Sequence, residues 1–209
     1  MKIQRAICVS IGLFIGAHLA PLAMAQSVNV YAGVGTAIDG SSNQQINTFG
    51  TGTFTTPKLA GAFPDLGASV MFTKHFGVGA DVSWRASNAA YAGLLERPLF
   101  YNFDGVWTPI STKHFEPEIR AGIGGMKLGY SYSQTGCDPF AGCSTSTQPV
   151  ENSNHFQGHF ALAARFYLTD HVFIRPAVDT HVVANLFQYG HNVVPEYSIG
   201  LGFSFGRPE

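Results

Sequence analysis

Glu116, Glu118 and Arg120 stand at every second position of one short stretch, interleaved with Phe115, Pro117, Ile119 and Ala121. In an extended strand such residues share one face, so two carboxylates and a guanidinium project side by side. The same spacing recurs along the chain: Asp81 with Arg85, Asp104, His159 with Arg165, Arg175 with Asp179 and His181, and Glu196. Three kinds of chemistry suit such a face: a salt-bridged network, an acid–base pair, or a path for protons or ions. An unpaired buried ion is very costly, and both signs are present in rough balance, which favours mutual neutralisation. The expected network is Asp81, Arg85, Asp104, Glu118, Arg120, Arg165, Arg175 and Asp179.

Cys137 and Cys143 enclose Asp138-Pro139-Phe140-Ala141-Gly142. In an exported chain such a pair is most simply a disulfide closing a loop tip. Metal binding by the two thiols with His155 lacks a fourth ligand at any usual spacing. Three more histidines sit in one repeated phrase: Thr73-Lys74-His75-Phe76, Thr112-Lys113-His114-Phe115 and Thr169-Asp170-His171-Val172. Each phrase reads as a tight polar turn, and turns spread round a barrel do not bring their histidines together. There is no phosphate loop or zinc motif. Neither a catalytic centre, a cofactor nor a metal is expected.

The elements that must carry these residues alternate strictly. After the first turn phrase, Phe76, Val78, Ala80, Val82 and Trp84 interleave with Gly77, Gly79, Asp81, Ser83 and Arg85. That is the period of a strand with one apolar and one wet face. Eight such stretches are expected: residues 28–36, 65–73, 76–85, 98–108, 115–132, 156–168, one beginning at Val172, and 196–205. The fifth changes parity at Gly124-Gly125, where a bulge or an exit from the membrane is expected. Pro117 and Pro176 each remove a ladder donor close to a turn, where a bulge would absorb the loss. Connections at 73–75, 109–114 and 169–171 are short, whereas 39–64, 86–97, 133–155 and 184–194 are long and rich in Ser, Thr, Asn, Gly and Gln. A recurring turn joining alternating strands points to an up-and-down antiparallel barrel, either soluble or turned inside out in lipid.

The N-terminus and the composition choose between those two. Lys2 and Arg5 precede an apolar run from Ala6 to Leu19, and Ala23-Met24-Ala25 supplies a small-x-small cleavage site. Residues 1–25 are therefore expected to be a signal peptide and residues 26–209 a single barrel domain. Cys8 lies inside the leader and not at the cleavage point, against a lipid anchor. Charged residues make up 12% of the chain and aromatic ones 13%, with 24 glycines, which suits a surface facing lipid. Lys2 and Arg5 leave with the leader, so 10 of the 12 basic residues face 13 acidic ones, a balance that excludes nucleic acid as a partner. With lipid outside, every backbone group must be paired, so the sheet must close.

In these features the mature chain resembles the small eight-stranded outer-membrane barrels of the OmpA-like and OmpX-like kind. Its last strand, Ser198-Ile199-Gly200-Leu201-Gly202-Phe203-Ser204-Phe205, is similar to the C-terminal signal of that family, with Ser198, Gly200, Phe203 and Phe205 at the signal positions. The resemblance implies a transmembrane β-barrel in the cell outer membrane, with outer-membrane lipid and the barrel-assembly machinery as partners. The function expected is non-enzymatic: a structural or surface-interaction role through the long external loops, whose ligand the sequence does not name. The alternatives are a narrow channel for small solutes or hydrophobic molecules and, third, a lipid-modifying barrel enzyme. Enzymes of the third kind carry a serine beside a histidine on a lipid-facing strand, and no such pairing is read here.

Overall fold

The computed structural model describes residues 26–40, 45–48, 52–91, 94–138, 142–186 and 189–206, so the expected leader lies outside the described residues. The strands are β1 (Ser27–Ala37), β2 (Gln45–Thr48), β3 (Gly52–Thr55), β4 (Phe63–Met71), β5 (Phe76–Trp84), β6 (Ala89–Tyr91), β7 (Leu94–Trp107), β8 (Phe115–Asp138), β9 (Gly142–Tyr167), β10 (Val172–Val183) and β11 (Val193–Phe205). Eight of them form a ring in the order β1, β4, β5, β7, β8, β9, β10, β11, and β11 pairs back onto β1. Every pairing is antiparallel, so the ring has no free sheet edge within the membrane. The β2–β3 hairpin lies in the first long connection and β6 in the second.

The repeated turn phrase has a local cause. The Thr73 amide donates to the Phe76 carbonyl at 3.1 Å, while the Thr73 hydroxyl accepts from the amides of His75 and Phe76 at 3.2 and 2.9 Å. Thr169 repeats this with His171 and Val172 at 3.3 and 3.0 Å, and Thr112 accepts from the Phe115 amide at 3.1 Å. A threonine followed three residues later by a strand's first apolar residue thus reverses the chain using its own hydroxyl. The histidine between them is a turn residue. His75 bonds the Thr108 carbonyl through Nδ1 at 2.7 Å, and His171 packs on Phe203.

Outward residues form a continuous apolar band. On β8 the outward positions from Phe115 to Gly125 carry no charge; they end at Lys127, which pairs with Leu99 two residues from the exposed Arg97. That interval matches the ~9–11 residues a tilted strand needs to cross lipid. Phe76, Trp107, Phe115, Phe166, Phe203 and Phe205 crowd the end nearest the short turns, as an interfacial aromatic girdle. Phe203 and Phe205 thus face lipid, whereas Ser198 and Gly200 point inward on the strand that closes the ring.

Three expectations are corrected. Parity does not slip at Gly124-Gly125: the register of β7 with β8 is unbroken from Leu95 to Trp107, and the bulge lies further out, between Tyr130 and Ser131. What changes at the glycines is the chemistry of each face, because Met126 and Leu128 point inward and Lys127 outward. The prolines need no bulge either. Pro117 pairs with Ala164 in register, and β10 and β9 skip Arg175 and Pro176 and resume at Ala177 without a shift. Finally, the third long connection is largely strand: β8 and β9 stay paired out to Asp138 and Gly142.

Candidate functional site

The lumen is the site, and it is built in layers. Nearest the short turns, a cavity of 570 Å³ is lined by Lys74, Lys113, Asp170 and His171 and ends on Glu116, Arg165 and Tyr167. Glu116 pairs with Arg165 at 3.3 Å and accepts from the Tyr167 and Ser111 hydroxyls at 3.0 and 2.7 Å.

Above it, Glu118 gathers three guanidiniums: Arg120 at 2.6 Å, Arg175 at 3.0 Å and Arg165 at 3.2 Å. Planar guanidinium forks suit this task, since each satisfies acceptors in several directions. Tyr31 supports the cluster. Its hydroxyl accepts from Arg120 at 3.2 Å, and Arg175 lies over its ring at 4.3 Å. Space for that ring comes from Gly67, where a Cβ would meet Tyr31 Cζ within 2.3 Å. Neither Tyr31 nor Gly67 stood out in the sequence, where each reads as an ordinary inward strand residue.

The next layer is acidic. Asp81 accepts from Asn102 at 2.8 Å and faces Arg120 at 3.5 Å. His159 lies between two carboxylates, Nδ1 at 2.8 Å from Asp104 and Nε2 at 3.3 Å from Asp179. Ligand atoms of Asp81, Asp104 and His159 all lie within 4.8 Å of one another, close enough to hold a cation. These residues come from β5, β7 and β9, so no spacing in the chain could have announced the group. Above them His181 stacks on His159 and on Phe100, with ring centroids 5.0 and 4.4 Å apart, and faces Glu196 at 3.4 Å.

The outer mouth is apolar, which the sequence reading missed. Ala37, Leu59, Phe63, Phe100, Met126, Leu128, Val183, Leu186, Tyr189 and Val194 form one buried cluster, with Leu59, Leu186 and Tyr189 folded in from the connections. Arg85, expected in the charge network, belongs here. It donates to the carbonyls of Lys58 and Ala60, both at 2.9 Å, and so pins the first connection across the mouth. The reason is height: Arg85 follows the last residue of β5, beyond the acidic layer. The detectable signal was the inward run Phe100, Met126 and Leu128, which the expectation of an outward apolar face obscured.

Glu96 lies above the level of Lys127, opposite Tyr130, and accepts a hydrogen bond from the Tyr189 hydroxyl. Burial pushes its carboxyl up to about 7, against the opposing pull of that bond and of Arg85. A carboxyl raised in the folded state stabilises it fully below the unfolded value near 4.5, and that stability is lost as pH rises through about 7. The loss amounts to about 3 kcal/mol, local to the mouth. Amide exchange of residues 189–194, corrected for intrinsic base catalysis, should therefore quicken between about pH 5 and 7. Glu96→Gln should remove the difference; equal protection at both pH values in the parent would refute the latch.

A serine does stand beside a histidine, though not on the lipid face. Ser153 Oγ lies 2.8 Å from His155 Nε2, and His155 Nδ1 lies 3.1 Å from the Ala184 carbonyl. Both side chains are on the inward side of β9 at the outer rim. The Ala184 amide also donates to the Phe156 carbonyl at 2.8 Å, so the pair laces β9 to the last connection.

Neither a protein-family model nor a curated protein sequence matches the chain. Solved structures do match by shape. Outer membrane protein OprG of Pseudomonas aeruginosa aligns with TM-score 0.53 and 14% identity over 87% of this chain and 96% of its own. Ail of Yersinia pestis, crystallised with the heparin analogue sucrose octasulfate, aligns with TM-score 0.53 and 11% identity over 86% of this chain and 98% of its own. Neisserial surface protein A aligns with TM-score 0.52 and 12% identity, over 86% and 96%. At such identities the likeness is one of fold. The closed eight-strand ring and its lipid-matched band give this chain the fold of the small outer-membrane β-barrels.

Proposed function

We infer that the barrel is a closed, non-enzymatic anchor that presents the β8–β9 ribbon to an extended polypeptide outside the cell. The observation that carries this reading is the ribbon itself. From Ser131 and Pro149 it runs, paired, to a tip where Cys137 and Cys143 face each other and are joined by a disulfide. It stands about 25 Å beyond the bulge at the usual strand rise. Residues 132–137 and 142–152 are all exposed, and beyond Ser131, which still pairs with Leu95, neither ribbon edge is paired to a further strand among the described residues. Unpaired edges offer backbone donors and acceptors to an incoming strand, with Ser, Thr, Gln and Tyr side chains beside them. Residues 131–153 include Asp138 and Glu151 but no Lys or Arg, so a sulfated polyanion such as that bound to Ail does not suit this surface.

The test is a chain shortened by joining Tyr130 to its facing residue Glu151 through an Asn-Gly turn. Parent and shortened chain alike should fold and run anomalously on gels unless boiled, yet the shortened chain should lose capture of extended peptides from a displayed library. Equal peptide capture by parent and shortened chain would defeat this reading, and steady single-channel conductance by the parent would favour the channel.

Reducing the disulfide should loosen the tip alone. Closing so small a ring contributes about 2–3 kcal/mol at most, and the tip lies far from the barrel wall. Proteolysis of residues 133–150 should speed up after reduction while the heat-modifiable barrel stays intact. Free thiols in protein isolated from the cell surface would count against the bridge in its native setting.

A further inference from the structure

We propose that Asp81, Asp104 and His159 form a binding site for one divalent transition-metal ion inside the barrel, with Asp179 orienting the histidine. The first ground is charge. Asp65, Asp81, Asp104, Glu116, Glu118, Asp179 and Glu196 face the lumen, against Arg120, Arg165 and Arg175. Even with His159 and His181 both protonated, seven negative charges meet five positive ones. Glu118 draws all three guanidiniums toward itself, so the deficit falls on the acidic layer above it. A dication there, less the one proton it displaces from His159, brings the deficit from two charges to one.

Geometry is the second ground. The three ligand atoms lie within 4.8 Å of one another and converge from three different strands. Asp104 is wholly buried, and its Oδ2 has no hydrogen-bond partner among the described residues. A buried carboxylate oxygen left without a donor is costly unless something positive meets it. Asn102 and Arg120 hold Asp81 in place, as neighbours of ligating carboxylates commonly do. His159 Nδ1 faces the carboxylates while Nε2 lies 3.3 Å from Asp179, outside hydrogen-bond geometry but near enough for that carboxylate to bias the ring's orientation. A metal on Nδ1 displaces the proton held between that nitrogen and Asp104 Oδ1, 2.8 Å apart, and the proton leaves to solvent. One imidazole with two carboxylates suits Zn²⁺, Mn²⁺, Fe²⁺ or Co²⁺ better than Ca²⁺ or Mg²⁺, which take oxygen donors.

The experiment uses the untagged barrel, refolded in detergent and titrated with Co²⁺, then with Zn²⁺ and Mn²⁺. Visible d–d bands should appear with Co²⁺, about one ion per chain should survive desalting, and uptake should release about one proton per ion. Asp104→Asn and His159→Gln should bind at least tenfold more weakly, and Asp179→Asn ~10–100-fold more weakly. Glu196→Gln, one layer further out, should bind as the parent does. Should the lumen variants fail to fold, the parent's own spectrum, stoichiometry and proton release decide. Absence of the bands and of a retained ion in the parent, or equal retention by Asp104→Asn, overturns the site.

Discussion

Replacing Glu118 by alanine should cost more stability than any other single change in the lumen. The carboxylate is almost fully buried and is the shared partner of Arg120, Arg175 and Arg165 at 2.6, 3.0 and 3.2 Å. Breaking a buried pair from one side costs about 3–5 kcal/mol, because the partner stays behind as an uncompensated charge. Here three guanidiniums lose a partner at once, Arg165 and Arg120 keeping only Glu116 and Asp81 at 3.3 and 3.5 Å, which puts the effect at the top of that range. Arg120→Ala, which strands Glu118 less completely, should fall within it, and Glu118→Gln should lie between the parent and alanine. Urea unfolding in lipid vesicles measures all three. A Glu118→Ala barrel as stable as its parent would show that the arginines are solvated and that the lumen is wet at that level.

The lumen has two seals in series, so opening it should need two changes. Phe100 is fully buried and stacked on His181, and it forms the floor of the apolar stopper at the outer mouth. Phe100→Ala should cost about 3–5 kcal/mol, the usual effect of deleting a buried aromatic ring and leaving a cavity. It should not conduct, because the guanidinium layer around Glu118 still fills the bore. Arg120→Ala alone should not conduct either, because the stopper still closes the mouth. The double variant should show steady single-channel events in a planar bilayer. Conductance in Phe100→Ala alone would mean that the charged layer is porous, and none in the double variant would mean that other layers seal the bore.

Much of the architecture was legible because a closed barrel in lipid leaves little freedom. Strict alternation from Phe76 to Trp84, or from Tyr197 to Phe205, permits one face toward lipid and one toward the bore, and a one-residue slip would put every charge into lipid. The Thr-x-His phrases marked the short turns because the threonine hydroxyl performs the reversal locally. Glu116, Glu118 and Arg120 could be read as inward for the same reason: their parity is opposite to that of Ile119 and Ile123. The ends of the strands were less legible. Residues 133–150 are rich in Ser, Thr, Gly and Gln, which read as an irregular connection, yet 133–138 and 142–150 form a ribbon because each strand satisfies the other's backbone.

By itself the sequence determined which side chains enter the bore, since alternation is a local property and the apolar majority must meet lipid. It did not determine at what height they sit or which of them meet. Arg85, just past the end of β5, has the same parity as Asp81 within it, yet one pins the first connection over the mouth and the other joins the acidic layer. The pairing of His159 with Asp104 and Asp179, the triple claim on Glu118, and the Tyr189 hydroxyl on Glu96 join residues from different strands or connections. The tilt and stagger of the closed ring set those heights, and stagger is a property of the whole ring, not of any one strand. The apolar stopper was hidden for a related reason. Phe100, Met126 and Leu128 face inward like the charges below them, but at the outer mouth the connections fold over them and supply an apolar lid in place of water.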